Sequence, residues 1–342
     1  MNKHNKRDLS LFLKTQTVIE TVISLIGSIV IVFLAAMLFV NTVEYVGCRF
    51  ALGSSFIGAI ISPLFTSFPE MVVFLVAVLV AREEMIGVGT IFGQPFMASS
   101  LSYGLVGISA VIGYIVKRRN DLTFEVDRSL IIPYTFVTIL FPLTIVPSVI
   151  GFHKLFGAIF LASYVYYVWM MYRRRLADII EEADDLYICR IVPYPTLSIV
   201  IQISCSVILL YIGSEKLVES VKELALHTGI SEMGLALVIV PAATAIPETA
   251  SALIWGYRGR DTLSIGALVG EKILYSTFYP GLGLLLTSWV LDNHAYMSVF
   301  ATTIVSLILL YYIAKQRVPI HALCFGLIFF VSYVILVFIL HI

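Results

Sequence analysis

Charged side chains are scarce in this chain of 342 residues: Asp, Glu, Lys and Arg together make up 13% of it, whereas hydrophobic residues make up 59%. Soluble domains carry about 25% charged residues, so water is not the main solvent of this protein. The 22 basic residues are matched by 22 acidic ones, and no stripe of Lys or Arg is interleaved with aromatic residues. Nothing in the sequence therefore indicates a nucleic-acid partner.

Cysteine and histidine are also few, and neither forms a ligand pattern. The 4 cysteines, Cys48, Cys189, Cys205 and Cys324, are scattered without paired spacing, and the 6 histidines form no H-E-x-x-H motif. A disulfide framework, a zinc site and a bound cofactor are therefore not expected. An enzyme working inside the membrane would need a Ser/His pair, paired aspartates or a histidine cluster at membrane depth. The sequence has none of these, so we do not expect an enzyme.

Long apolar stretches bounded by charged or turn residues are abundant. A bilayer core about 30 Å thick needs about 20 apolar residues per spanning helix, so a chain of this length holds about ten spans in an all-α membrane protein. The predicted organisation is a polar tail (1–16), a first five-helix repeat (17–172), a solvated polar linker (173–194) and a second five-helix repeat (195–342). The predicted helices are Thr17–Val46, Leu52–Ala81, Met85–Val116, Leu130–Ile150, Phe152–Tyr172, Pro195–Ile212, Glu232–Trp255, Leu263–Trp289, Ala295–Ala314 and Val318–Ile342.

The distribution of Lys and Arg predicts how this bundle is oriented. Short loops rich in these residues stay on the cytoplasmic side of a membrane. In a ten-helix arrangement the face with residues 117–119, 173–175 and 258–260 carries more basic residues than the face with Arg82 and Lys222. We therefore predict that both termini lie on the extracytoplasmic side of a cell membrane.

One pair of sequence blocks repeats between the two halves. The motif T-x-x-P-E occurs at residues 66–70 and again at 244–248, and G-x-x-x-G follows at 89–93 and 266–270. Because five helices per half is an odd number, the second copy enters the membrane from the opposite side, so the repeats are inverted. Inverted repeats bring equivalent elements together near the midplane of the bilayer, where Glu70 and Glu248 are expected to meet.

The repeated motif offers oxygen ligands inside apolar helices. An ionised carboxylate at Glu70 or Glu248 is costly there unless it faces a cavity, an ion or a partner. The proline of each motif also frees a backbone carbonyl. Thr66 and Ser67 share a helix face with Glu70, and Thr244 shares one with Glu248. Hard cations such as Ca²⁺ take about six to eight oxygen ligands, which two such half-sites can supply. Duplication argues against the alternative, in which each motif is only a kink with a protonated or paired glutamate.

The residues after G-x-x-x-G differ between the copies: Gln94 and Pro95 in the first, Glu271 and Lys272 in the second. Glu271 is a further candidate ligand, and Gln94 and Lys272 are candidate charge partners. The Lys272 ammonium either mimics a bound monovalent cation or neutralises a carboxylate. We interpret the glycine pairs mainly as close packing of the helix beside each glutamate.

At these motifs the chain resembles the cation/calcium exchanger superfamily, over about residues 40–115 and 205–290. That family carries G-T-S-x-P-E in each repeat, and this sequence has F-T-S-F-P-E at Phe65–Glu70 and A-T-A-I-P-E at Ala243–Glu248. The resemblance implies ten helices in two inverted five-helix repeats. It also implies that the two motif glutamates are the central carboxylates, with hydroxyl or carbonyl ligands from Thr66, Ser67 and Thr244.

The family's second segment, G-N-x-x-G-S-N, has lost its small polar residues here, and a further polar position holds Ala98 in one copy and Tyr275 in the other. The resemblance assigns those residues to sodium, so a proton is the alternative counter-ion. We expect a secondary active antiporter that moves Ca²⁺ or a related cation in exchange for Na⁺ or H⁺ by alternating access. Its partners are then inorganic cations and the lipid bilayer. A degenerate membrane sensor or scaffold of the same fold, without transport, is the alternative.

Overall fold

The computed structural model describes residues 3–49, 67–174, 185–190, 192, 194–244 and 246–340. The side chains of residues 3–17, 44, 47–49, 172, 174, 190 and 246–248 lie outside this description. Helices dominate these ranges. In chain order the elements are α1 (Lys3–Arg49), α2 (Phe68–Leu75), α3 (Glu84–Met97), α4 (Tyr103–Ile115), β1 (Thr123–Glu125), α5 (Ile131–Leu143), α6 (Val146–Ile150), α7 (His153–Arg174), α8 (Pro195–Thr228), α9 (Glu232–Thr244), α10 (Ile246–Tyr257), α11 (Asp261–Leu274), α12 (Phe278–Leu286), α13 (Asn293–Ala314), β2 (Arg317–Pro319), α14 (Ile320–Cys324) and α15 (Gly326–Val334).

Several of these helices are long and apolar enough to cross a bilayer. Within the described ranges 7 helices meet this test, or up to 8 if the bent pair α9 and α10 counts as one span. Every predicted segment contains helix where it is described, and Leu52–Ala81 is described only from Ser67. The largest difference from the predicted helix bounds is at α8. This helix continues past the predicted end at Ile212 to Thr228, because apolar residues of the extension are buried against the bundle.

Two predicted helices are broken in the structure. The segment Glu232–Trp255 is divided into α9 and α10, which are bent by 62° at the second T-x-x-P-E motif. The segment Leu263–Trp289 is divided into α11 and α12 by a turn at Tyr275–Thr277. Pro280 lies in the first turn of α12, where a missing N–H leaves no helix hydrogen bond unmade. Broken helices of this kind line sites inside membrane proteins, because only a cavity can accommodate their free backbone groups.

A short antiparallel ribbon, absent from the sequence prediction, joins the loops of the two halves. Strand β1 pairs with β2, with Phe124 opposite Val318. Both of these side chains are fully buried. The prediction that a helix begins at Val318 is wrong by two residues, since α14 begins at Ile320.

Contacts between loops show which connections share a face of the bundle. Arg119, after α4, forms an ion pair with Asp261 at the start of α11. On the other side Lys222 pairs with Glu83. These pairs agree with the predicted grouping of basic residues on two faces. Which face is cytoplasmic stays a prediction.

The two halves pack directly against each other. Helices α1 and α8, the first of each half, lie along each other, and α3 of the first half lies against α9 of the second. Buried apolar side chains form two clusters, one containing Phe92 and Trp289 and the other containing Tyr103 and Val305. The first T-x-x-P-E, the first G-x-x-x-G and Thr244 of the second T-x-x-P-E lie where α2, α3 and α9 meet.

Candidate cation-binding site

The first T-x-x-P-E motif ends in the first turn of α2. Pro69 occupies that turn, where its lack of an N–H is tolerated. Glu70 follows it and is only 1% exposed. A carboxylate in a helix's first turn is stabilised by the free N–H groups there. Thr66, and the Phe65 carbonyl that Pro69 was expected to free, lie outside the described residues.

Gln94 connects Glu70 to the second half of the chain. Its Nε2 donates a hydrogen bond to Glu70 Oε1 at 2.9 Å and another to Thr244 Oγ1 at 3.4 Å. The Thr244 hydroxyl itself donates to the Val240 carbonyl at 3.1 Å, so its lone pairs face Gln94. All three side chains are buried. Two predicted ligands, one from each repeat, thus converge on a single nitrogen.

The close approach of α3 to α9 makes this convergence possible. A Cβ at Gly93 would lie 2.5 Å from the Leu237 carbonyl oxygen, and one at Gly89 would lie 2.9 Å from the Met233 carbonyl oxygen. Only glycine fits at either position. The close-packing interpretation is therefore confirmed for the first G-x-x-x-G. Among the described residues, a Cβ at Gly266 would meet a leucine side-chain atom at 3.5 Å, so for the second copy the interpretation stays a prediction.

Tyr279, a residue that the sequence prediction missed, closes one side of the site. Its hydroxyl donates to the Ser67 carbonyl at 2.6 Å and lies 3.2 Å from Ser67 Oγ. Its ring stacks on Tyr275 with centroids 4.3 Å apart. The carboxylates of Glu70 and Glu271 both act electrostatically on this hydroxyl. The sequence signal for Tyr279 was its spacing of four residues from Tyr275. Its hydroxyl reaches Ser67 only because the helix is broken before α12.

Glu271 and Lys272 point in different directions, as neighbours on a helix do. Glu271 is 6% exposed and acts electrostatically on Tyr279 and Tyr103. Lys272 Nζ instead donates to Ser306 Oγ at 2.9 Å. Of the carboxylates in the described ranges, none lies within 4.0 Å of Lys272 Nζ. The side chain of Glu248 lies outside these ranges, so Lys272 as a charge partner stays a prediction, whereas Gln94 does contact Glu70.

Glu248 lies in α10, and its side chain lies outside the described residues. The predicted meeting of Glu70 and Glu248 stays a prediction. One residue further on, Thr249 shares a hydrogen bond of 3.0 Å with Ser102, which holds this part of α10 against the first half. Among the residues that could be searched, no group of three or more His, Cys, Asp or Glu side chains could hold a metal. The described donor set mixes one carboxylate with hydroxyl and amide groups.

Comparison with known proteins agrees with this architecture. The model of the sodium/calcium exchanger protein family matches residues 20–173 and 198–341. The putative antiporter CaxA of Alkalimonas amylolytica is 28% identical over 165 residues, 45% of this chain and 52% of CaxA, so the match spans about half of that relative. The inner membrane protein YrbG of Escherichia coli is 22% identical over 309 residues, 88% of this chain and 90% of YrbG.

Solved structures show the same fold. The H⁺/Ca²⁺ exchanger CAX superposes with a TM-score of 0.73 at 17% identity, over 96% of this chain and 88% of CAX. The sodium-calcium exchanger NCX_Mj superposes with a TM-score of 0.58 at 20% identity, over 94% of this chain and 99% of NCX_Mj. The predicted class, an all-α membrane protein of two inverted five-helix repeats, is confirmed, and these neighbours are transporters and not enzymes. This chain belongs to the sodium/calcium exchanger protein family.

Proposed function

We propose that the protein is a secondary active antiporter that moves Ca²⁺ or a related divalent cation across the membrane in exchange for Na⁺ or H⁺. The ion is bound by Glu70 and Thr244, with Glu248, Glu271 and the Thr66–Ser67 pair completing the ligand set. Access to the bound ion alternates between the two faces as the helices of the two repeats rock against each other.

One observation carries this proposal: Gln94 Nε2 bridges a carboxylate oxygen of one repeat and a hydroxyl oxygen of the other, at 2.9 Å and 3.4 Å. Amide hydrogens carry partial positive charge, so the bridging nitrogen occupies a place where electron-rich oxygens favour a cation. The three side chains are buried within the bundle, where an ion stripped of water needs such oxygens.

Binding of the ion requires the Gln94 amide to turn. A cation between Glu70 and Thr244 displaces the N–H groups, and a rotation about the last side-chain bond brings the amide oxygen of Gln94 towards the ion instead. Glu70, Thr244 and Gln94 together then offer about four oxygens, and Ca²⁺ takes about six to eight. The remaining ligands come from Thr66, Glu248, Glu271 and the Ser67 hydroxyl, since Tyr279 already engages the Ser67 carbonyl.

Transport into proteoliposomes tests the assignment. Purified protein is reconstituted, an outward gradient of protons or of sodium is imposed in separate experiments, and uptake of radioactive calcium is followed. Uptake driven by one gradient and not the other identifies the counter-ion. We expect Glu70→Gln combined with Glu248→Gln to abolish uptake, because the site loses its charge.

Glu215→Gln is the matched control, since Glu215 lies on α8 with an exposed side chain. It neutralises a carboxylate outside the proposed site and should leave uptake unchanged. Uptake that survives the double substitution would refute the ligand assignment. A folded protein that takes up none of calcium, strontium or manganese under either gradient would support the sensor or scaffold alternative.

A further inference from the structure

Lys272 is an intramembrane lysine that the proposed ion site does not use. It lies near the end of α11, is 1% exposed and points at two tyrosines of the second apolar cluster. Burial of an ammonium is costly unless its hydrogens and charge are matched by nearby groups. The surroundings of Nζ therefore have to explain why a lysine is tolerated at this depth.

Three groups from three helices surround Lys272 Nζ. Ser306 Oγ on α13 accepts its hydrogen bond at 2.9 Å. The ring centroid of Tyr103 on α4 lies 5.5 Å from Nζ, and that of Tyr134 on α5 lies 5.7 Å away. Both distances fall within the range of cation–π attraction, about 6 Å. One hydroxyl and two ring faces thus take the place of water around the ammonium.

The two rings are held in place independently of Lys272. The Tyr134 hydroxyl donates to the Tyr103 hydroxyl, and the Tyr103 hydroxyl donates to the Ile265 carbonyl at 3.5 Å. Both tyrosines are fully buried. The pocket is therefore a built structure whose walls do not depend on the lysine that fills it.

Helix α13 brings a further oxygen to this face. Thr302 lies one helical turn before Ser306 and is fully buried. In the described part of the chain its Oγ1 has no hydrogen-bond partner. The one hydrogen bond of Lys272 Nζ uses the hydroxyl of Ser306 and leaves the hydroxyl of Thr302 unused. Two hydroxyl oxygens one helical turn apart suit a coordinated cation.

We propose that the pocket formed by Ser306, Tyr103 and Tyr134 is a site for a monovalent cation, and that the chain fills it with its own Lys272 ammonium. The inference extends the proposed function, because a tethered cation replaces one that a transport cycle would otherwise take from solution. The site itself is a binding property, and it can be tested without measuring transport.

Removal of the tether should leave a pocket that a small cation can enter. In Lys272→Ala, methylammonium reproduces the end of the missing side chain. We expect methylammonium and ammonium chloride to raise the melting temperature of this variant by several degrees over choline chloride at equal ionic strength, since a ligand stabilises the state that binds it. Choline has no N–H on its nitrogen, so it cannot replace the hydrogen bond to Ser306, and it controls for ionic strength.

The wild type and Lys222→Ala, which removes a partly exposed lysine of α8, should show no difference between the salts. Lys272→Ala combined with Ser306→Ala should lose most of the stabilisation by methylammonium. Equal melting temperatures of Lys272→Ala in methylammonium and choline would overturn the proposal.

Lys272→Met keeps the length of the side chain and removes its charge, so it decides the question if Lys272→Ala yields no folded protein. We expect a lower melting temperature that methylammonium does not restore, because the methionine still fills the pocket. A Lys272→Met protein as stable as the wild type would show that the charge has no role and would overturn the proposal. These readouts do not depend on transport, so a failure of the antiporter assignment would be seen separately.

Discussion

Replacement of Gly93 by alanine tests whether the crossing of α3 and α9 positions the ion site. The added Cβ would lie 2.5 Å from the Leu237 carbonyl oxygen and 2.8 Å from Pro241 Cγ. The carbonyl belongs to the backbone of α9 and cannot rotate away. Since such contacts do not fall below 3.0 Å, the helices have to separate by about 0.5 Å.

Two opposing terms set the size of the effect on stability. Overpacking of this kind costs about 1–3 kcal/mol, and the higher helix propensity of alanine returns about 1 kcal/mol. We therefore expect the free energy of unfolding to fall by up to about 2 kcal/mol. The hydrogen bond from Gln94 to Thr244 is already 3.4 Å long, and further separation breaks it. Transport per folded molecule should then fall as well.

Thermal unfolding and calcium uptake of the same preparation measure both effects. Gly27→Ala is the matched control, because a Cβ at Gly27, which also lies in a helix, meets none of the described residues within 4 Å. It should be as stable and as active as the wild type. If Gly93→Ala also matched the wild type in stability and uptake, the close helix crossing would not be what positions the site.

Two further predictions follow from buried polar contacts. Gln94→Leu leaves its carboxylate partner without this donor, so we expect a loss of about 1–3 kcal/mol in the free energy of unfolding and a loss of calcium uptake. Wild-type melting and uptake would contradict the bridging role. Arg119→Met leaves the carboxylate of Asp261, whose side chain is 10% exposed, without its ion-pair partner. We expect the free energy of unfolding to fall by about 3–5 kcal/mol. Lys222→Met breaks a pair in which the lysine is 46% exposed and should cost at most about 1 kcal/mol. Equal losses in denaturation experiments would contradict this reasoning.

The membrane segments were predictable because each needs a long apolar run, and hydropathy measures that property directly. The duplicated T-x-x-P-E motif likewise predicted the inverted repeats and the burial of Glu70. The breaks were not predictable from hydropathy, since the turn at Tyr275–Thr277 has only three residues, none of them charged, between two longer helices. The ribbon was missed because its strands, Thr123–Glu125 and Arg317–Pro319, have only three residues each.

The candidate site was predictable in composition but not in contacts. Glu70, Thr244 and Gln94 were identified from their types and spacing, and the structure brings them together. The direction of Lys272 depends on the rotation of α11 about its axis, which is set by neighbours distant in the sequence. Tyr279 reaches Ser67 only because α12 starts a new helix, so its role required the three-dimensional path of the chain.

The ribbon and the Arg119–Asp261 pair fasten three connections at one end of the molecule: α4 to α5, α10 to α11, and α13 to α14. We expect helices joined in this way to move together. The long pair α1 and α8 supplies neither strand and neither member of the ion pair. An aqueous opening at this end therefore forms most easily along the border between that pair and the rest of the bundle. Among the described residues, side-chain contacts and no paired strands have to separate there.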